Sequence, residues 1–408
     1  MATPRSLNPF RLLATHRNFR LFWIGQTLSL IGTWMQSMAQ AWLALELTNS
    51  ALVVGAVASI GSLPIVLFSL PAGALVDRTD KLRLVKAMQA LMLLESALLW
   101  WFTWSGNITI GWLLALALFN GLANAFEIPA RQAMMIDLVG REELYSASAL
   151  NSSGFNLARI VGPAIGAIVI RQFGIAWCFG LNAISYFAVL VGLSLIVLPT
   201  WTPVKRTESP MTEITAGLAY MRRTPAVAAI MLMVVVFSVL GIPYMTLMPI
   251  VARDILHLGA SGYAVLLSFV GVGGLTGALF LASVGQRVPR GRLLRLSAYA
   301  FPALLVALAL VRSVGLARPV LFLVGFMMIV NSALVNGILQ SVVDDAFRGR
   351  VLAAYSFVVV GLSQLVGALA AGAVAHEIGA DWAIGGAAAL MIAITTFFYW
   401  RRPVLARL

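Results

Sequence analysis

Three ionisable side chains stand inside long apolar runs of this chain: Glu95, Glu127 and Arg159. A charge in such surroundings is costly unless it is paired, protonated or wetted, so each marks a place where a proton or a charged solute could be handled. Glu127 and Arg159 belong to successive runs. Counted from the turn between them, Glu127 is level with Asn151 and Ser152. That leaves the two charges roughly 11 Å apart along the helix axes. Side chains lean toward the N-terminus of their own helix, so on antiparallel neighbours these two lean together, and a direct or water-bridged pair is expected. Two readings stay open. Either Glu127 exchanges a proton while Arg159 tunes it or holds an anionic solute, or the pair is static and fixes two helices. Glu95 is a further proton-coupling candidate, with a snorkelling or neutral structural carboxyl as its alternative.

Small polar residues form stripes beside these charges. Gln26, Ser29, Thr33, Ser37 and Gln40 recur at steps of three and four, with Gln36 alongside and Trp34 at the border. That is one helical face, and in lipid it must turn toward water or protein. It reads either as a cavity wall or as helix–helix hydrogen bonding worth about 0.6 kcal/mol a pair. Trp34 could stack on a solute or belong to the core. Asn120 and Asn124 repeat the pattern with Glu127, and Ser148, Ser152 and Asn156 with Arg159. Weaker matches later in the chain are Tyr244 with Thr246, Asn331 with Asn336 and Gln340, and Ser363 with Gln364.

Other chemistry is missing from the sequence. One cysteine, Cys178, and three scattered histidines, His16, His257 and His376, allow no disulfide, metal cluster or nucleophile–base pair. No GxxxxGK[ST] string occurs, which argues against a nucleotide-driven pump. No enzyme activity, metal or cofactor is expected.

The elements that carry these residues follow from composition. The chain has 408 residues, 61% of them hydrophobic and 11% charged, far from the make-up of a water-soluble domain. Apolar segments fall at 19–45, 52–76, 83–104, 109–130, 145–170, 175–198, 226–250, 260–284, 292–311, 319–340, 350–374 and 382–400. Each is long enough to cross a bilayer, so an all-α membrane protein of twelve helices is expected. The first segment lacks a small-residue cleavage site and reads as a retained helix.

The net charge of +13 would fit nucleic-acid binding until it is mapped. Of the 28 Lys and Arg, 23 lie at the termini or in even-numbered connections, four on the opposite side, and Arg159 within a helix. That bias puts both termini in the cytoplasm, and its spread over seven short pieces argues against a nucleic-acid partner. Tryptophans near helix ends form an aromatic belt.

Shifted by 208–209 residues, the chain matches itself: Leu75–Arg83 falls on Val284–Arg292, Gln132 on Gln340 and Asp137 on Asp345. The plain inference is two six-helix bundles, residues 1–198 and 225–408, joined by a cytoplasmic linker at 199–224. Parallel repeats of this kind are a transporter signature, with the solute site near mid-membrane between the halves.

Gly73, Asp77, Arg78 and Arg83 stand in a string that resembles motif A of the major facilitator superfamily, GxLxDRxGxxR, with Asp80 where a glycine is usual. The resemblance implies a cytoplasmic latch from Asp77 to Arg131 and to a second-half helix starting near Arg348–Val351. The second copy carries Gln286 in the aspartate position, which weakens a latch there. Gly162, Pro163 and Gly166 resemble the antiporter motif C, GxxxGPxxGG, with Ala158 and Ala167 replacing two glycines. That motif implies a sealed periplasmic side and export. The strings Phe19–Gln26, Pro129–Ala133 and Asp344–Val351 are similar to the enterobactin-exporter-like branch, beside the drug:proton antiporter-3 group. The expectation is a monomeric transporter in the cytoplasmic membrane, with no obligate protein partner. It would export a small amphiphile such as a siderophore, drug or metabolite by alternating access, driven by the proton gradient. Proton-driven uptake, facilitated diffusion and lipid or lysolipid flipping are the alternatives.

Overall fold

A computed structural model describes residues 11–198, 210–284 and 288–401. Part of the linker (199–209), Gln286 and the side chains of Asp77 and Asp345 lie outside the described residues. Twelve long helices follow one another among the described residues. They are α1 (Arg17–Thr48), α2 (Ala51–Arg78), α3 (Lys81–Trp104), α4 (Ile110–Val139), α5 (Leu144–Phe173), α6 (Ala176–Ser194), α7 (Pro225–Ile255), α8 (Ala260–Val284), α9 (Arg290–Leu310), α10 (Val314–Val342), α11 (Asp345–Ser356, Phe357–Ala368 and Leu369–Ile378) and α12 (Ala380–Arg401). Ten of them are long and apolar enough to cross a membrane; α1 and α3 are the other two. Both bury polar side chains, Gln26, Ser29 and Gln36 in α1 and Gln89, Glu95 and Ser96 in α3. Several helices run past the expected apolar segment, α4 and α11 by the most.

Turn chemistry sets the boundaries. Asn49 closes α1 in the left-handed region at φ 52°, a conformation asparagine tolerates. Asp80 is the N-cap of α3, its carboxylate accepting from the Arg83 N–H at 3.1 Å. An aspartate at this usually glycine position of motif A therefore has a local purpose. Helix α7 is not uniform: a π turn, Phe237–Gly241, precedes Pro243. Proline has no N–H to return to the preceding turn, and Ile242 donates instead to the Phe237 carbonyl at 3.1 Å. The π stretch Phe357–Ala368 of α11 packs on this turn, where a Cβ on Gly367 would lie 2.7 Å from Pro243 Cγ. In the linker, Pro210–Arg223 is a helix docked on α11, with the Tyr220 and Phe347 rings 4.4 Å apart.

Packing repeats with the chain. Helix α2 pairs with α4 and α3 with α6, and six helices on α8 pairs with α10 and α9 with α12. Between the two sets, α5 lies on α8 and α2 on α11. Hydrogen bonds across this seam cluster toward the end that holds the α1–α2 turn. Arg253 donates to the Asn49 side-chain oxygen at 2.6 Å and Ser261 to the Ala167 carbonyl at 2.9 Å. Ser59 donates to the Leu365 carbonyl at 2.7 Å. Gly55 and Gly372 let α2 and α11 touch backbone to backbone, a Cβ on Gly55 falling 2.5 Å from the Ala368 oxygen.

Candidate functional site

Glu95 is 0% exposed, and its carboxylate sits in a cage of neutral donors. The Gln36 amide donates to both oxygens, at 3.1 and 2.9 Å. Asn120 donates at 3.0 Å and Ser96 at 3.2 Å. Asn182 donates to the Gln36 carbonyl oxygen at 2.8 Å, and the one Ser96 proton is shared between that oxygen, also 2.8 Å away, and Glu95, fixing which way the amide faces. Four helices, α1, α3, α4 and α6, contribute one or more of these groups. Among the described residues no cation joins the cage; the nearby titratable group is Tyr186, whose hydroxyl lies 3.1 Å from that of Thr33. Glu95 faces inward from α3, within hydrogen-bond reach of Gln36 of α1 and Asn120 of α4.

Glu127, also buried, is differently held. Its Oε1 accepts from Arg131 Nε at 2.9 Å and from the Gln89 amide at 3.1 Å. The expected Glu127–Arg159 pair is therefore not formed. Arg131 lies one turn along the same helix, a spacing that places side chains on one face, whereas Arg159 is turned to another neighbour. Its guanidinium enters the gap left by Gly274 of α8, where a Cβ would collide with Nη2. Ile329 of α10 lies 3.0 Å from that same position. Tyr244 of α7 is an electrostatic neighbour of Arg159.

The stripe on α1 divides. Gln26, Ser29 and Gln36 are buried, Thr33, Trp34 and Gln40 half-buried, and Ser37 exposed. Ser37 and Thr33 spend their hydroxyls on carbonyls one turn back, and the Trp34 ring meets Phe155 edge-on at 5.7 Å. Asn124 donates to Asn120 at 2.6 Å, extending the cage along α4. Asn156 bonds only locally, to the Ser152 carbonyl. In the second half Asn331 donates to Ser297 at 3.2 Å and Gln340 to Asn336, while Gln364 is half-buried. None of these side chains bonds to the Glu95 cage.

The motif residues fall into two regions. Gly162 and Gly166 are buried where α5 crosses α1, with Gly154 and Ala158 completing a small-residue line at every fourth position. A Cβ on Gly162 would stand 2.7 Å from Trp34 Cβ and 2.8 Å from the Ile31 oxygen. Pro163 is buried beside them. In the motif A region Gly73 is half-buried, Arg78 is exposed, and Arg83 pairs back on Asp80 at 3.4 Å. Arg131, the expected latch partner, is bound through Nε to Glu127, and the side chain of Asp77 lies outside the described residues. Lys81 and Asp137 tie α3 to α4 at 2.7 Å in the same region.

Sequence reasoning passed over Gln89, Ser96, Asn182 and Tyr186. Asn182 alone carried a signal, as an amide inside an otherwise apolar helix. The architecture, two similarly packed sets of membrane helices around buried polar groups, is that of a secondary transporter and not of an enzyme. Residues 5–405 match the family described as transmembrane secretion effector, and the chain belongs to this family of major facilitators. It is 26% identical to the staphyloferrin A transporter of Staphylococcus aureus, covering 69% of this chain and 71% of that one. It is likewise 26% identical to the enterobactin exporter EntS of Escherichia coli, over 83% and 81%. With macrolide efflux protein A of Streptococcus pyogenes it shares 23% identity over 58% and 59%. The fold is similar to an inward-facing bacterial homologue of the human lysosomal transporter Spinster, with TM-score 0.74 at 12% identity over 98% of both chains. A POT family transporter gives TM-score 0.75 at 11% identity, over 95% of this chain and 96% of that one.

Proposed function

We propose that this transporter exports a small amphiphilic molecule in exchange for protons, and that Glu95 is the residue that takes up and releases the proton. The observation that carries the reading is the Glu95 cage. Its donors are neutral amides and hydroxyls. A proton arriving at Glu95 therefore cancels an uncompensated buried charge, whereas Glu127 already has its counter-ion in Arg131. The cage joins α1, α3, α4 and α6, so a change of charge at its centre acts on the packing of four helices of the first bundle.

All twelve helices cross the cytoplasmic membrane in this reading, α1 and α3 included, since 32 and 24 residues exceed the ~20 needed and their polar groups are satisfied inside the protein. Both termini are cytoplasmic, following the Lys and Arg distribution. The end of the seam tied by Arg253–Asn49 and Ser261–Ala167 then faces outward, and the motif C glycines pack α5 on α1 within the first bundle. The protein works as a monomer, without a cofactor, and the proton gradient supplies the energy. Relatives named for staphyloferrin A, enterobactin and macrolides favour a siderophore or amphiphilic drug as the cargo.

The test is proton release from acid-loaded proteoliposomes, read by a pH dye, on adding a panel of siderophores and cationic amphiphiles. Wild type is expected to respond to one class, Glu95→Gln to move solute without a proton signal, and Glu127→Gln to keep the signal. Loss in Glu127→Gln with retention in Glu95→Gln would assign the proton to Glu127. Solute movement without proton release in wild type would make the protein a facilitator.

A further inference from the structure

Arg159 lies near the middle of the 30-residue helix α5, at the depth where transporter solute sites form. Among the described residues it makes no hydrogen bond or ion pair, and its Nε is buried without a partner. Both intramembrane carboxylates are already engaged, Glu95 by its amides and Glu127 by Arg131 and Gln89. The guanidinium is nevertheless built into place: it reaches from α5 of the first bundle into the second, where Gly274 makes room and Ile329 adjoins the gap. Tyr244, its electrostatic neighbour on α7, is 2% exposed, and its hydroxyl too lacks a partner.

A guanidinium is a donor only, and a phenol with no acceptor near it is a second donor. Arg159 is half-buried, with its Nε fully buried and unpartnered; a guanidinium so placed without a counter-charge is unfavourable, and what the pair lacks is an anion with several acceptor oxygens. A carboxylate or catecholate matches the planar fork of arginine and leaves an oxygen for the tyrosine. We propose that Arg159 and Tyr244 form the binding site for an anionic group, carboxylate or catecholate, of the transported solute. The site spans α5, α7 and α8, so an anion held there contacts both bundles at once and is released when they rock apart. The proposal rests on the transport reading for its ligand, but on neither the direction of transport nor the coupling ion.

Calorimetric titration of the full-length protein in phosphatidylcholine nanodiscs, with citrate and 2,3-dihydroxybenzoate as probes, tests it. One of the two acids is expected to bind wild type. Arg159→Met should weaken that binding roughly tenfold to a hundredfold, the loss of a charged hydrogen-bonding partner. Arg159→Lys, which keeps the charge and guards against a folding defect, should fall between. Tyr244→Phe should weaken it by roughly threefold to tenfold. Equal binding by wild type and Arg159→Met, or no binding of either acid, would overturn the proposal. So would displacement of the acid by phosphatidylglycerol in the nanodisc, which would make a lipid headgroup the occupant. Arg159-dependent binding without coupled flux in vesicles would sink the export reading alone. Coupled flux with charge-independent binding would sink this one alone.

Discussion

Replacing Arg131 with methionine would leave Glu127 buried without its counter-ion. The pair is at 2.9 Å, with side chains 13% and 4% exposed. At an effective dielectric of about 20 the Coulomb attraction at that distance is ~6 kcal/mol. Relaxation, water entry and protonation return part of it, so breaking such a pair from one side costs about 3–5 kcal/mol. Glutamate precedes arginine by four residues on one helix, the favourable order, so the pair travels with α4 as a rigid unit through any rocking motion. The effect should therefore appear in stability. Arg131→Met is expected to lower the apparent unfolding free energy in mixed detergent–SDS titrations, followed by tryptophan fluorescence, by about 3–5 kcal/mol. In the double variant with Glu127→Gln no charge is left unpaired, and most of the loss should be recovered. The cycle should then give a coupling energy of at least about 2 kcal/mol. A single variant within about 1 kcal/mol of wild type, or strictly additive effects, would refute the assignment of this ion pair as a buried structural contact.

Two further perturbations probe helix packing, one between α1 and α5 and one across the seam. Gly162→Ala puts a methyl 2.7 Å from Trp34 Cβ and 2.8 Å from a backbone oxygen, an overpacking expected to cost about 1–3 kcal/mol in thermal unfolding. Gly386→Ala, with nothing within 4 Å, should be neutral or stabilising; equal effects would contradict the packing. Cysteines at Ala167 and Ser261, where the native serine hydroxyl is 2.9 Å from the Ala167 carbonyl, should cross-link and stop solute flux until reduced. The native Cys178 is buried and does not interfere. Fast cross-linking with undiminished flux would show that this end does not open during transport.

The helices were legible because each needs its own apolar run; the four-residue spacing of Glu127 and Arg131 stood in the sequence too, but Glu127 was paired there with Arg159 and Arg131 with Asp77. The cage was not. Gln36, Glu95, Asn120 and Asn182 lie on four helices, and no periodicity within one helix reports which way its neighbours face. Arg159 was misplaced for the same reason: rotation about α5 is set by packing, and the α4–α5 turn lies at 140–143, a little later than the axial count assumed. The small-residue line Gly154, Ala158, Gly162 and Gly166 fits against α1, so Arg159, one position on from Ala158, turns instead to Gly274 of α8. The π turns were hidden too, since they arise from Pro243 and from packing between α7 and α11, which no apolar count records.

Proton-driven export is tested most directly by accumulation in inverted membrane vesicles with an acidic lumen, using a radiolabelled compound found active in the proteoliposome panel. The account predicts uptake above the equilibrium level, abolished by a protonophore and by Glu95→Gln. Equilibration that ignores the gradient, or accumulation only in right-side-out vesicles, would contradict it.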